Sequence, residues 1–144
     1  MPIVSLEHVS KNYGATVALR DLSFSVEAGE MFGLIGPDGA GKTTAIRAIC
    51  GLLHVDEGHI RVLDRDPVAD HRALTQSIGY LSQRFSLYAD LSIDENVAFF
   101  AEIHGMRRYS ERRKRLLEMT GLAPFQSRLA GRLSGGMKQK LALV

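Results

Sequence analysis

Gly36-Pro37-Asp38-Gly39-Ala40-Gly41-Lys42-Thr43 carries the spacing G-x-x-x-x-G-K-[ST] of a loop that wraps the phosphate tail of a nucleoside triphosphate. The segments on either side suit that reading. Met31-Phe32-Gly33-Leu34-Ile35 is a short apolar run that predicts a buried parallel strand, and Thr43 to Cys50 carries Ala45, Ile46, Ala48 and Ile49 at helical spacing. Strand, glycine loop and helix thus follow in the required order. Gly36, Gly39 and Gly41 admit backbone conformations closed to residues with side chains, so successive N–H groups can turn inward on an anion at the positive end of the helix. Lys42 is placed to meet the β- and γ-phosphates, the Thr43 hydroxyl to ligate Mg²⁺, and Thr44 to add a hydroxyl contact, with Pro37, Asp38 and Ala40 completing the loop. The implied ligand is ATP or GTP together with Mg²⁺.

Further segments narrow the class. Leu133-Ser134-Gly135-Gly136-Met137-Lys138-Gln139 resembles the signature motif of ABC transporter ATPases. Ile78-Gly79-Tyr80-Leu81-Ser82-Gln83 resembles that family's Q-loop, a strand ending in a glutamine that senses the γ-phosphate, and Lys11-Asn12-Tyr13-Gly14 resembles the loop whose aromatic ring stacks on adenine. The resemblance runs from Ile3 to Val144. Within the family, GPDGAGKTT with LSGGMKQKLAL looks most like the ATPase components of bacterial drug- and polysaccharide-efflux systems.

The resemblance implies an α/β fold: a P-loop NTPase core of ABC type with a small antiparallel β subdomain and a helical subdomain. It would divide the chain into residues 1–82, the nucleotide-binding core with the β subdomain, and 83–144, a helical subdomain holding the signature and incomplete at its C-terminus. It also implies roles. Tyr13 and residues 36–44 would hold ATP, Lys42 and Gln83 would serve catalysis, and Thr43 and Gln83 would hold Mg²⁺. Ser134, Gly135 and Gly136 would face the nucleotide of a second copy in a head-to-tail dimer. Two residues depart from the commoner family pattern: Asp38 stands where asparagine is usual and sets a carboxylate beside the phosphates, and Met137 replaces a glutamine of the signature.

After the signature the family would continue through a helix into an apolar strand ending in aspartate, then a glutamate, and later a histidine, which hold Mg²⁺ through water, polarise the attacking water and contact the γ-phosphate. Lys138 to Val144 contains none of them. The expectation is a chain equipped to bind ATP but inactive as an ATPase by itself and poorly folded alone.

Composition excludes several other classes. With 45% hydrophobic and 24% charged residues, 144 residues can bury the core of a domain and are neither disordered nor membrane-inserted. No apolar run approaches the roughly eighteen residues of a spanning helix. The N-terminus lacks a basic-then-apolar signal pattern, so the expected location is cytoplasmic, at the inner membrane face through a partner. Cys50 alone excludes an internal disulfide framework and reads as a buried, inert thiol; His8, His54, His59, His71 and His104 have no metal-ligand spacing.

Leu22, Phe24 and Val26 alternate with polar residues, predicting a half-buried strand closed by the turn Ala28-Gly29-Glu30. Strands around Ile3 to Leu6 and His59 to Val62 would complete a small antiparallel sheet. Ser92-Ile93-Asp94-Glu95 fits a capping box opening a helix with Val97, Phe100 and Ala101 inward and Gly105 at its end. A second helix from about Glu111 to Thr120 would bury Leu116, Leu117 and Met119, stopped by Gly121 and Pro124. In the family these helices grip a transmembrane permease. Phe85 and Tyr88 are read equally as part of that exposed grip or as subdomain core. The basic stretch from Met106 to Arg115 holds six of 18 Lys and Arg, but a net charge of +2 favours a solvated helix face, and no direct nucleic-acid binding is expected.

The function expected from the resemblance is the ATP-binding subunit of an ABC transporter, an exporter, coupling Mg·ATP binding and hydrolysis to transport through a separate membrane protein. The alternatives are a soluble ABC-type ATPase acting on ribosomes or nucleic acid, and an inactive nucleotide-binding fragment.

Overall fold

The computed structural model describes residues 2–83 and 86–144. They form two compact units, one ending at Tyr80 and one beginning at Leu81.

The first unit is built on a three-stranded antiparallel sheet in the order β2-β1-β3, with β1 Val4–Tyr13, β2 Thr16–Val26 and β3 Glu57–Val62. β1 and β2 form a hairpin whose tip pairs Tyr13 with Thr16. The pairing slips at three points, because Val9 faces Leu22 but Lys11 faces Leu19 and Asn12 faces Val17. Extra residues are thus pushed out of each strand as bulges. Two residues at these slips, His8 and Asp21, take the left-handed conformation at φ 52° and 49° although neither is glycine. Each bulge is held by its neighbour: His8 Nδ1 is 2.6 Å from Asp21 Oδ1, the His8 N–H donates to Ser23 Oγ, and the Asp21 N–H donates to Ser10 Oγ.

Leu6, Val9, Leu19, Ile60 and Val62 supply the buried face of the sheet. Helix α1, Lys42–Ile49, covers it with Ala45 and Ala48, whose small side chains let helix and sheet approach closely. The short helix α2, His71–Thr75, adds Leu74 to the same core.

Two expected strands do not form. Residues 31–35 and 78–83 carry no strand pairing, and Met31 and Ile35 are 99% and 94% exposed, with only Leu34 and Ile78 leaning on the core. The physical reason is the absence of a neighbour: a parallel strand exists only as part of a ladder, and no described strand lies beside either segment to take its hydrogen bonds. Phe32 turns instead onto Phe24 of β2, the rings stacked at 4.9 Å between centroids.

The second unit is helical. Helix α3, Ile93–Ile103, begins at the expected capping box: Ser92 Oγ accepts from the Glu95 N–H, while Glu95 accepts from the Ser92 N–H at 2.7 Å. These bonds hold the Glu95 carboxyl below its ordinary value. Its contribution to the helix is therefore complete above the ordinary carboxylate range and lost as pH falls through the lower, folded value. Helix α4, Ser110–Thr120, ends on Gly121 in the left-handed conformation at φ 70°, and helix α5, Gly135–Leu141, follows a pair of 3₁₀ turns. Ile93, Leu117, Leu122, Ala130, Leu133 and Leu141 form the core. Leu117 is buried in α4 as expected, but Met119 points to solvent, because one helical face cannot hold both.

A buried polar hub organises the segment leading into α3. Asn96 is 1% exposed; its Oδ1 accepts from the Tyr88 N–H, and its Nδ2 lies within 3.1 Å of the carbonyls of Tyr88, Leu91 and Ser92. The side-chain amide thus ties Tyr88 to the start of α3 on one side of a stretch whose Ala89, Leu91 and Ile93 backbone bonds residues 128–131 on the other. Asn96→Ala leaves the Tyr88 N–H without its acceptor and removes the second donor from the Tyr88, Leu91 and Ser92 carbonyls, which keep backbone partners; the expected loss is about 2 kcal/mol of stability, read from denaturant unfolding with unchanged slope. A change under about 0.5 kcal/mol would mean that water satisfies the freed groups.

Candidate nucleotide site

Gly41 is the N-cap of α1 at φ 86°, in the left-handed region, and Gly39 stands at φ 82°. A side chain at position 41 has no room, because its Cβ would lie 2.2 Å from the Ala18 carbonyl oxygen and 2.8 Å from a Leu19 methyl. Ala18 is the extra residue where the β1–β2 pairing slips between Lys11 and Asn12. The bulge thereby sets the carbonyl that abuts the start of α1.

Pro37 to Ala40 form a turn closed by the Ala40 N–H donating to the Pro37 carbonyl at 3.3 Å. Among the described residues this is the one bond made within the loop by its own N–H groups. The first N–H groups of α1 have no intrahelical acceptor either, so the loop and helix start present a row of free donors. Lys42 folds back over the turn, its Nζ donating to the Gly36 carbonyl at 2.7 Å and the Pro37 carbonyl at 2.5 Å. Thr43 is exposed beside it and Thr44 is half-buried. Free backbone donors, a lysine ammonium and two hydroxyls at a helix N-terminus form a donor set suited to a polyphosphate and a hard cation.

Tyr13 stands on the hairpin whose Ala18 meets Gly41, and it is 49% exposed. Its neighbours are fixed by Asp56, just before β3. Lys11 Nζ bonds Asp56 Oδ1 at 2.6 Å, and the Asn12 N–H donates to Oδ2 at 2.7 Å. The Lys11 hydrogen bond first, and the Asn12 N–H second, hold the Asp56 carboxyl below the usual carboxylate range. Lys11 Nζ also lies 5.9 Å from the Tyr13 ring centroid. The strap from Asp56 to the hairpin tip is not visible in sequence, since its partners are separated by more than forty residues.

Gln83 and the signature residues belong to the second unit. Gln83 is exposed in an irregular segment. Ser134 is the N-cap of α5, its Oγ accepting from the Met137 N–H at 3.3 Å, and Gly135 and Gly136 form the exposed first turn. Tyr88 combines the two readings offered for it: it is 46% exposed, yet its ring packs edge-on to Phe99 at 4.6 Å. Phe85 lies outside the described residues. In the basic stretch, Arg113 is drawn into an ion pair with Asp94 and bonds Gln126. Cys50 is half-buried at the C-cap of α1, and burial pushes its thiol up, away from the reactive thiolate.

No helix among the described residues is long and apolar enough to cross a membrane. The family model described as ABC transporter matches residues 19–144. A probable multidrug ABC transporter ATP-binding protein, YbhF of Escherichia coli K12, is 48% identical over 130 residues, covering 88% of this chain and 22% of the relative. The sulfate/thiosulfate import ATP-binding protein CysA 1 of Shewanella oneidensis is 36% identical over 97% of this chain and 39% of its own length. A solved ATP-binding subunit of an ABC transporter superposes with a TM-score of 0.82 at 30% identity, over 98% of this chain and 60% of that one. The chain therefore spans 22% to 60% of the length of these proteins, less than two thirds of each. The loop, the helix it opens and the match across residues 19–144 agree: the chain belongs to the ABC transporter ATP-binding family.

Proposed function

We propose that this chain is the nucleotide-binding portion of an ATP-binding subunit that drives transport through a separate membrane permease. The observation that carries the reading is the loop 36–44, with free N–H donors at the start of α1 and Lys42 already folded over the turn. Mg·ATP would lie with its phosphates on this loop, Mg²⁺ on Thr43, and adenine against Tyr13. Gln83 would act on the γ-phosphate and metal. Ser134, Gly135 and Gly136 would meet the nucleotide of a second copy, so that closure on ATP and reopening after hydrolysis move the permease. The helical unit, residues 83–144, would grip that permease and hold the protein at the cytoplasmic face of the membrane. The efflux-type motifs and the similarity to a probable multidrug protein favour export, whereas the similarity to a sulfate importer concerns the shared ATP-binding chemistry. Steady hydrolysis would need the aspartate and glutamate that the family places after the signature, and Lys138 to Val144 holds neither.

Calorimetric titration with Mg·ATP tests the reading, which requires saturable binding. Tyr13→Ala should weaken ATP and GTP alike, by about tenfold, because stacking tolerates either base, while Tyr13→Phe should bind as the parent does. A large loss in Tyr13→Phe would assign the contact to the hydroxyl and remove the stacking account.

A further inference from the structure

Asp38 is the one feature of the loop that works against its ligand. It follows Pro37 in the turn closed by Ala40, it is exposed, and among the described residues it has neither hydrogen bond nor ion pair. From Met31 to Ile46 the only charged side chains are Asp38 and Lys42, one of each sign. The loop's charged side chains therefore sum to zero where a polyphosphate should bind. Lys42 is drawn in onto the Gly36 and Pro37 carbonyls, so the Asp38 carboxylate is the freer of the two.

We infer that Asp38 is a specificity-determining residue, which makes the loop select metal-complexed nucleotide over the free polyphosphate anion. The inference rests on the proposal that this loop holds ATP. Metal-free ATP brings a charge of roughly −4 against the Asp38 carboxylate, and the Mg²⁺ complex about −2, so complexation halves the repulsion. Asp38 thus costs metal-free ATP more than it costs Mg·ATP. A neutral residue of the same shape would leave the backbone donors and Lys42 unchanged and lift the discrimination. No bond is made or broken; the effect is on binding alone.

The experiment titrates the 144-residue chain, Asp38→Asn and Asp38→Glu with ATP, once with Mg²⁺ and once with EDTA in excess. The expected result for Asp38→Asn is a gain of about tenfold for metal-free ATP and, with the repulsion halved, about threefold for Mg·ATP. Both gains should shrink as salt is raised. Asp38→Glu keeps the charge and should keep the parent's ratio of the two affinities. Equal gains under both conditions, or the same shift in Asp38→Glu as in Asp38→Asn, would assign the effect to turn geometry and overturn the inference. A loss of Mg·ATP affinity in Asp38→Asn would make the carboxylate a metal ligand, with the same consequence. If none of the proteins binds ATP under either condition, the nucleotide-site reading itself fails and the inference falls with it.

Discussion

Lys42→Ala is expected to lower Mg·ATP affinity about a hundredfold, measured by calorimetry on folded protein. Lys42 is the only cationic side chain between Met31 and Ile46, and a charge-assisted hydrogen bond to a phosphate is worth about twice a neutral one. The substitution removes that bond and also leaves Asp38 as the loop's only charge, so attraction gives way to repulsion. A second contribution comes from the free state. Lys42 Nζ bonds the Gly36 and Pro37 carbonyls and so ties the entry of the turn to the start of α1. These bonds lie on an exposed loop, where the net worth of each is about 1 kcal/mol or less, so melting should move little while affinity collapses. The combination separates the two roles. A large drop in thermal midpoint with the same loss of affinity would mean that Lys42 acts mainly by shaping the loop. Unchanged affinity would mean that 36–43 is a structural turn and would remove the basis of the proposed function.

The local signals in the sequence were those whose partners lie within a few residues. Ser92 and Glu95 form their capping box because both bonds close within one turn of helix, and Gly121 ends α4 because a left-handed C-cap follows directly from residue type. The glycine turn that opens α1 was legible for the same reason. What was not legible depends on chain brought from a distance. Residues 31–35 have the composition of a buried strand, but composition cannot supply the neighbour that a parallel ladder requires, and Met31 and Ile35 stand in solvent. The hairpin runs on to Tyr13 although Ser10, Lys11 and Asn12 are polar, because Asp56 binds both Lys11 and the Asn12 backbone. The bulges at His8 and Asp21 had only a weak signal, since histidine and aspartate accept a positive φ more readily than most residues but do not announce it as glycine does. Asn96 had one: it lies three residues after the buried Ile93 and so falls on the inward face of α3, where a polar side chain must find partners. Of the candidate site, the loop, Tyr13 and the Ser134 cap can be described in place, each within its own unit.

Gly41→Ala should unfold the candidate nucleotide site from beneath. Two independent costs meet at this position. The backbone at φ 86° is left-handed, which costs a residue with a side chain about 1 kcal/mol or more. The new Cβ would also stand 2.2 Å from the Ala18 carbonyl oxygen, and that atom is backbone, fixed in a bulge of β2 between paired residues on both sides. It cannot swing aside as a side chain would. Relief requires either that α1 withdraw from the sheet, uncovering Ala45 and Ala48, or that the hairpin shift with the Tyr13 it carries. The expected loss is about 3 kcal/mol or more, a fall of at least about 12 °C in the thermal midpoint of a unit this size. Gly39→Ala provides the comparison. Position 39 has a similar φ of 82°, but a Cβ there meets nothing within 4 Å, so only the conformational cost applies. The two substitutions should therefore differ by about 2 kcal/mol although both remove a left-handed glycine of the same loop. Equal losses would show that the contact with Ala18 is soft, and that the bulge does not fix the start of α1.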